Sequence, residues 1–204
     1  MNRRDTDPRL VLFAPPADAL LAEACAKFDI ASAILHTGAL DERAILSRAE
    51  ALWNVTSKTG AALLLGNRAD LVAKTKADGA HLSNFPEQAA QIKLLQPRYI
   101  AGAAGLASRH DAMLAGEAGA DYVMFGEPVN GKRPSLDAII ERVAWWAEIF
   151  ETPCVAYSAS LDEIPALVRA GADFVALDKA IWSEADPLNA LRRAALLLEP
   201  ERAE

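Results

Sequence analysis

Two similar stretches, Ala118-Gly-Ala-Asp-Tyr-Val-Met-Phe125 and Ala170-Gly-Ala-Asp-Phe-Val-Ala-Leu177, decide the fold of this 204-residue chain. Each places a glycine just before a short apolar run, which is the pattern of a helix that ends and turns tightly into a buried strand. A looser third copy, Lys76-Ala-Asp-Gly79, precedes another short apolar run. The repetition predicts a repeated helix–strand unit, with Gly119 and Gly171 at the face where helices lead into strands.

Short apolar runs of this kind recur along the whole chain. Between them lie stretches whose apolar positions follow the helical period, such as Asp41–Lys58 and Ser135–Phe150. The predicted strands are Leu10–Phe13, Ala31–Leu35, Ala61–Leu65, Gly79–Leu82, Tyr99–Ala103, Tyr122–Phe125, Cys154–Tyr157 and Phe174–Leu177. Strict alternation of strands and helices indicates an α/β protein with a parallel sheet covered by helices.

The number of units favours a closed barrel over an open sheet. The alternation predicts a (β/α)₈ TIM barrel that forms a single compact domain over residues 1–204, with the barrel at about residues 9–198. A doubly wound sheet is the alternative, and it often carries a glycine-rich phosphate loop after its first strand. Here Phe13-Ala-Pro-Pro16 follows that strand instead.

Composition and charge exclude several classes of protein. The chain is 52% hydrophobic and 24% charged, which suffices for one buried core and excludes a disordered chain. Its net charge of −7 argues against a nucleic-acid partner, and no apolar run approaches the ~18 residues of a membrane span. The segment Met1–Pro8 does not resemble a signal peptide, and Cys25 and Cys154 have no metal or redox spacing. We therefore expect a cytoplasmic protein with reduced thiols.

In a barrel, the reactive groups follow the strands and lie at the carboxyl-terminal face, which we call the mouth. His36 follows the second predicted strand and is a candidate base or phosphate ligand, with a solvated histidine as the alternative. His81 lies inside a strand, where a core histidine bonded to backbone is expected, and His110 is expected at the surface. The three histidines have no metal spacing, and no metal ligand is assigned.

Two cationic positions at the mouth suit an anionic ligand. The loop Asn130-Gly-Lys-Arg-Pro134 combines a flexible turn with two cations, and Lys132 is the candidate phosphate ligand. Lys179 follows the last strand, where barrels of this type often bind phosphate. The alternatives are a solvated basic turn for the loop and an internal ion pair with Asp178 for Lys179.

Four stretches together resemble the thiamine phosphate synthase and thiazole tautomerase family of barrels. They are Gly60–Leu71, Ala77–Leu82, Ala118–Gly126 and Ala170–Pro187. The resemblance runs from about Arg9 to Leu198 and implies a barrel, often dimeric, that handles phosphorylated pyrimidine and thiazole precursors of thiamin. The synthase reaction uses Mg²⁺ and expels pyrophosphate, so its site needs cations, hydrogen-bond donors and carboxylates for the metal.

The mouth departs from the family's pattern at most of its loops. Asn67 and Pro86 stand where the family places its metal carboxylates, so Mg²⁺ binding is expected to be weak and no cofactor is assigned with certainty. Glu127 stands where the tautomerase has its histidine, and Lys179 replaces a serine. By this resemblance Arg68, Lys132 and, as an amide in place of an acid, Asn67 carry over.

Two functional hypotheses follow. In the first, the chain is a thiamin-precursor enzyme, a synthase-type transferase or a tautomerase-type isomerase with a remodelled site. Its phosphate-binding residues are Asn67, Arg68, Lys132 and Lys179, and its catalytic residues, which move protons, are His36 and Glu127. In the second, the chain is a non-catalytic paralogue that binds a small phosphorylated or anionic ligand or a protein partner.

Two expectations concern how these residues meet. Arg68, Lys132 and Lys179 follow three different strands, so we expect them to converge on a bound anion. The alternative is that Lys179 pairs with Asp178 and Arg68 with Asp70 or another acid, while Lys132 is solvated. Trp145 lies off the apolar stripe of its helix, which predicts a homodimer interface. An isolated exposed aromatic residue is the alternative for Trp145.

Overall fold

The computed structural model describes residues 7–199. Within that range, eight parallel strands close into a barrel in chain order, and the last strand pairs with the first. The strands are β1 (Arg9–Phe13), β2 (Ile30–Leu35), β3 (Ala62–Gly66), β4 (Gly79–Leu82), β5 (Ile100–Ala103), β6 (Tyr122–Phe125), β7 (Cys154–Tyr157) and β8 (Phe174–Leu177). The predicted TIM barrel is confirmed, and every predicted strand boundary lies within one residue of the observed one.

Helices connect successive strands and cover the outside of the barrel. They are α1 (Asp18–Lys27), α2 (Glu42–Thr56), α3 (Ala69–Val72), α4 (Ala89–Leu95), α5 (Arg109–Glu117), α6 (Leu136–Ile149), α7 (Ile164–Arg169), α8 (Lys179–Trp182) and α9 (Pro187–Leu198), with a 3₁₀ turn at Leu161–Glu163. None of the helices in the described part of the chain is long and apolar enough to cross a membrane.

Helix α6 shows how the apolar stripe becomes a buried face. Ile139, Val143 and Trp146 are fully buried on it, at the spacing that puts side chains on one side of a helix. Trp145 is half-buried beside this stripe, and its ring meets the rings of Trp146 and Phe150 edge to face, at 5.8 and 5.3 Å between centroids. Trp145 is therefore not an isolated aromatic residue.

The sheet separates two apolar layers because side chains alternate along each strand. In β3, Leu63 and Leu65 pack outward against the helices, whereas Leu64 points into the barrel interior. In β4, Ala80 and Leu82 pack outward, so that His81 between them points inward. This alternation brings a polar ring into the barrel directly below the mouth.

The turns from helix to strand follow one design, as the repeated sequence predicted. Gly119 and Gly171 both have positive φ, 92° and 97°, which favours glycine because a side chain there is strained. The aspartate of each copy then accepts a hydrogen bond from the backbone N–H at the start of the neighbouring strand. The pairs are Asp78 with Leu63 at 2.8 Å, Asp121 with Ala101 at 2.8 Å and Asp173 with Cys154 at 2.7 Å.

Candidate functional site

The loop between β6 and α6 forms a short hairpin, closed by backbone hydrogen bonds, at the mouth. Val129 and Lys132 pair through two backbone hydrogen bonds of 2.9 and 3.0 Å. Asn130 and Gly131 between them have φ values of 51° and 75°, the left-handed conformation that a type I′ turn requires at both positions. The segment that was expected to be a flexible basic turn is therefore a tight turn, and it fixes the backbone position from which the Lys132 side chain extends.

This hairpin divides the mouth into two cavities. Cavity A measures about 300 Å³ and is lined by Gly105, Leu106, Ala107, Met124, Gly126, Glu127, Val129, Lys132, Arg133, Pro134 and Arg142. Cavity B measures about 280 Å³ and is lined by Phe13, Ile34, His36, Thr37, Gly38, Gly66, Asn67, His81, Ser83, Asn84, Glu127, Pro128, Val129 and Asn130. Glu127 and Val129 line both, so together they form the wall between the cavities.

A chain of hydrogen bonds runs from the barrel interior to this wall. Oε2 of Glu127 lies 3.0 Å from Nε2 of His81, and Oε1 accepts a hydrogen bond of 3.1 Å from the hydroxyl of Ser83. On the other side of the imidazole, Nδ1 lies 2.7 Å from the hydroxyl of Tyr122. The side chains of His81 and Glu127 are only 1% and 11% exposed. Solvent therefore reaches the chain of hydrogen bonds mainly at its Glu127 end.

The protonation of this chain follows from its surroundings. Burial alone would raise the pKa of Glu127, but His81, Ser83 and His36 together outweigh it and hold that pKa below its ordinary value. Burial, reinforced by the charges of Glu127 and Asp121, raises the pKa of Tyr122 well above its ordinary value. An ionised carboxylate only accepts hydrogen bonds, so Nε2 of His81 donates to Glu127, and in the neutral imidazole Nδ1 then accepts from the hydroxyl of Tyr122.

Sequence reasoning found Glu127 but missed its partners. His81 was expected to be a core histidine bonded to backbone; it is fully buried, but both ring nitrogens meet side chains instead. The period-two alternation of β4 was the available signal, since outward-facing Ala80 and Leu82 require His81 to point inward. His110 is exposed, as predicted.

His36 occupies the rim of cavity B. Its ring stacks on Phe13, with 4.7 Å between centroids and 16° between planes. Its Nε2 lies 3.5 Å from the carboxylate of Asp178, and its side chain is 58% exposed. Asp178, the expected ion-pair partner of Lys179, thus faces His36.

Asn67 and Arg68 follow β3, and their side chains make contacts in different places. Asn67 has a φ of 55°, and its side-chain oxygen accepts a 2.7 Å hydrogen bond from the N–H of Ser83, which places it in the wall of cavity B. Arg68 makes two hydrogen bonds of 2.8 Å to Asp70. These bonds raise the pKa of Arg68 and lower that of Asp70. Arg68 lines neither cavity.

The structure does not bring the predicted cations together. Lys132 lines cavity A beside Arg133, whose guanidinium makes hydrogen bonds of 3.1 and 2.7 Å to Glu163. Lys179 lines a separate hollow of about 340 Å³, with Ala159, Ser160, Leu161, Asp162, Ala180, Glu184 and Arg193. Lys132 and Lys179 therefore lie in different parts of the mouth.

The mouth offers no oxygen set that fits Mg²⁺. Among residues 7–199, no three histidine, cysteine, aspartate or glutamate side chains are grouped so that they could hold a metal ion. The side-chain oxygen of Asn67 is taken by a backbone N–H, and Pro86 has no side-chain oxygen at all. A hard cation prefers several charged oxygens, so the residues present do not fit the metal that the family implies.

Comparison with known proteins agrees with the fold and the resemblance. A family model described as thiamine monophosphate synthase matches residues 13–181. The thiamine-phosphate synthase of Rhodospirillum centenum is 38% identical over 189 residues, which cover 87% of this chain and 91% of the relative. That of Hyphomonas neptunium is 35% identical and covers 88% and 85%.

A solved structure shares the architecture across almost the whole chain. It is the thiamine phosphate pyrophosphorylase from Pyrococcus furiosus, with a TM-score of 0.79 at 21% identity, covering 97% of this chain and 96% of that one. At this identity the match shows the fold alone. The sequence relatives and the family model confirm the predicted resemblance: the chain is a thiamine phosphate synthase-like barrel protein and belongs to the thiamine monophosphate synthase family.

Proposed function

We propose that this protein is an enzyme that joins a pyrimidine pyrophosphate to a thiazole phosphate and so makes thiamine phosphate. The observation that carries the proposal is the pair of cavities at the mouth, which are similar in size and share Glu127 and Val129 as a wall. A condensation needs two substrates held with their reacting atoms in contact. Two adjacent cavities meet that requirement better than the single pocket of a simple binding protein.

Cavity A is suited to the phosphorylated end of one substrate. Lys132 has no ion pair within residues 7–199, and its ammonium is exposed at the rim, ready to bind phosphate oxygens. Arg133 adds positive charge that Glu163 partly neutralises. The two terminal guanidinium nitrogens of Arg142, Nη1 and Nη2, donate to the carbonyls of Leu106 and Ala107. Lys132 is therefore the residue that we assign to the departing pyrophosphate.

Cavity B is suited to a flat heterocycle. The stacked rings of Phe13 and His36 offer an aromatic surface, and Asn67 and Asn84 supply amides for ring nitrogens and amino groups. Lys179 and Arg193 line the third hollow and would hold the phosphate of the second substrate. Arg68 contributes to phosphate binding only if it leaves Asp70, so we assign it the smaller part.

The bond changes balance without any further reactant. The thiazole ring nitrogen attacks the methylene carbon of the pyrimidine, the carbon–oxygen bond to pyrophosphate breaks, and pyrophosphate leaves with the electron pair. Positive charge develops on the methylene carbon, and the negative charge of the ionised Glu127 in the shared wall stabilises it. Glu127 and His36 are also the groups placed to move a proton on a bound heterocycle.

No step of this reaction is assigned to Mg²⁺, because the donor set does not fit it. We propose that Mg²⁺ binds this protein only weakly, with a dissociation constant of about 1 mM or more. Calorimetric titration of the protein with Mg²⁺ alone tests this. Micromolar affinity without substrate would contradict it.

Two further proposals concern context. A phosphate ester is charged and does not cross a bilayer, so an enzyme that acts on such compounds works where they are made, and we assign it to the cytoplasm. The position of Trp145 at the margin of the buried face of α6 supports a homodimer through that helix.

The proposed function is tested by incubating the protein with both precursors, with and without EDTA, and quantifying thiamine phosphate by chromatography. Turnover is expected, and Lys132→Ala should reduce kcat/KM about tenfold, since one charge-assisted hydrogen bond is worth roughly 1.5–3 kcal/mol. Lys93→Ala on exposed α4 is the matched control and should leave the rate unchanged. Saturable binding of both precursors without turnover would instead favour the non-catalytic paralogue.

A tautomerase-type isomerisation is the second candidate, favoured by the chain of hydrogen bonds that ends at Glu127. Such a reaction removes a proton from one ring position and returns it to another, which needs a base in contact with the ring. Incubation of a thiazole phosphate with the protein in D₂O tests this by mass spectrometry. Enzyme-dependent deuterium uptake that Glu127→Gln abolishes would support it, and uptake at the buffer rate would reject it.

A further inference from the structure

We propose that His81 and Tyr122 are positioning residues that hold the Glu127 side chain in one orientation, as a carboxylate anion, in the wall between cavities A and B. The consequence for turnover rests on the proposed function. The statement about Glu127 itself does not, and it can be tested without substrate.

The contacts of Glu127 fix its orientation. Oε2 is held by His81 and Oε1 by the hydroxyl of Ser83, from different positions on β4 and the loop after it. A carboxylate has about four lone-pair sites, so two bonds on the interior side leave the others for the cavities. A side chain held at both oxygens cannot rotate away without losing both bonds.

Tyr122 supports the arrangement in which Nε2 of His81 carries the ring proton, the one that the Glu127 carboxylate requires. Its hydroxyl lies 2.7 Å from Nδ1 and, because burial first and then the charges of Glu127 and Asp121 raise its pKa, it keeps its proton as a donor. With Nδ1 accepting, the ring proton stays on Nε2 and points at Glu127. If the tautomer were reversed, a lone pair of Nε2 would face the ionised carboxylate and repel it.

The absence of a side chain at Gly102 makes the contact between His81 and Tyr122 possible. His81 on β4 is the register partner of Gly102 on β5, and Gly102 is the partner of Tyr122 on β6. The three residues therefore lie side by side in one layer. A Cβ on Gly102 would lie 2.0 Å from Cζ and 2.2 Å from the hydroxyl oxygen of Tyr122. Only glycine lets the tyrosine reach across β5 to the imidazole.

Other titratable groups face Glu127, and they set the pH range of the test. His36 lies across cavity B and lowers the pKa of Glu127, though less than His81 and Ser83 do. Tyr157 on β7 stays neutral in this range, since burial, with a smaller contribution from Asp178, raises its pKa to about 12. Lys132 and Arg133 also line cavity A, on the same side of the wall.

The sign of the pH dependence follows from the lowered pKa. Glu127 stays ionised at neutral pH and loses its charge only below the ordinary range of a glutamate. If His81 is removed, burial still raises the pKa but its main opposing contribution is gone. The carboxylate then becomes protonated at a higher pH, and the acid limb of any reaction that needs its charge moves upward.

The experiment is a ¹³C NMR titration of glutamate side-chain carboxyls, with the Glu127 signal assigned by its absence in Glu127→Gln. The wild type should titrate below the ordinary range. His81→Leu should raise this pKa by about one unit or more, which is at least tenfold in proton affinity. Tyr122→Phe should raise it less, and His81→Gln, which keeps an N–H donor, should restore part of the difference.

The same variants give the kinetic readout. Wild-type kcat/KM should be flat from about pH 5.5 to pH 7.5, whereas that of His81→Leu should fall as the pH is lowered from about 7.5 to about 5.5, by about twofold for a pKa rise of one unit and by more for a larger rise. Equal loss at every pH would assign His81 to structure alone and overturn the proposal, as would an unchanged Glu127 titration in His81→Leu and Tyr122→Phe. If the NMR shifts appear but the wild type does not turn over, the positioning role stands and the proposed reaction falls.

Discussion

At the face where helices lead into strands, Asp78, Asp121 and Asp173 all make the same contact with a backbone N–H, whereas three loops at the mouth make three different kinds of contact. The loop after β6 is a hairpin closed by backbone hydrogen bonds, and the loop after β3 holds Arg68 against Asp70. The segment after β7 supplies Glu163, which binds Arg133. A repeated contact is expected where every unit solves the same folding problem. Varied contacts are expected where each residue has its own task in binding or chemistry.

The sharpest test of this comparison is at the shared wall of the two cavities. Glu127→Gln keeps the size of the side chain but removes its charge, so turnover should fall about 10²-fold or more, the usual loss when one group that stabilises transition-state charge is removed. The free energy of unfolding in urea should change by less than about 1 kcal/mol, because the cost of burying the charge is removed along with its bonds. Full activity in this variant would break the functional side of the comparison.

The opposite pattern is expected at the other end of the barrel. Asp173→Ala leaves the N–H of buried Cys154 without its carboxylate acceptor, which should cost about 2 kcal/mol in urea unfolding. Turnover by the folded fraction should stay at the wild-type value. Glu50→Ala, which removes an exposed carboxylate from α2, is the matched control and should change the stability by less than about 0.5 kcal/mol. An activity loss comparable to that of Glu127→Gln would show that the two ends are not separate.

The fold was accessible to sequence reasoning because its signals are local. Glycine before an apolar run, and apolar positions at helical spacing, lie within a few residues of each other, so β4, β6, β7 and β8 were predicted with their observed bounds. His36, Asn67, Lys132 and Lys179 were placed at the mouth simply because they follow strands.

The partners of those residues were not accessible. That His81 meets Tyr122 depends on the register of three strands and on the missing side chain of Gly102, which no pattern within one strand reveals. The pairing of His36 with Asp178 likewise depends on side-chain geometry, whereas that of Arg68 with Asp70 was one of the alternatives that the sequence left open. The predicted convergence of three cations used the strand order alone, and for Arg68 the structure has the alternative, an ion pair with Asp70.

A smaller effect is expected on ligand affinity when the cations at the mouth are replaced, and it should differ between Lys179 and Arg68. Lys179→Ala should weaken binding of a thiazole phosphate about tenfold, because a charge-assisted hydrogen bond is worth roughly 1.5–3 kcal/mol. Arg68→Ala should weaken it by less, because Asp70 already neutralises that guanidinium. Isothermal calorimetry measures both. Unchanged affinity in Lys179→Ala, with only a loss of folding stability, would assign that lysine to the scaffold.

The smallest effect on activity is expected at the outer surface of α6. Trp145→Ala should shift the protein from dimer to monomer in light scattering at micromolar concentration, because a large half-buried ring at a helix margin contributes strongly to an interface. Turnover should stay within about twofold, since Trp145 lines neither cavity. A wild-type protein that is already monomeric would reject the interface.

The glycine between His81 and Tyr122 also restricts the order in which this site can change during evolution. A chain with any larger residue at position 102 cannot accept a tyrosine at position 122 in this rotamer, because the two side chains would occupy the same space. The glycine must therefore come first, and a smaller residue at 122 would then leave a void in the barrel interior. Once the tyrosine is present, substitution of the glycine disrupts packing and the Glu127 contact at once. A position without a side chain thus becomes one of the least replaceable in the molecule.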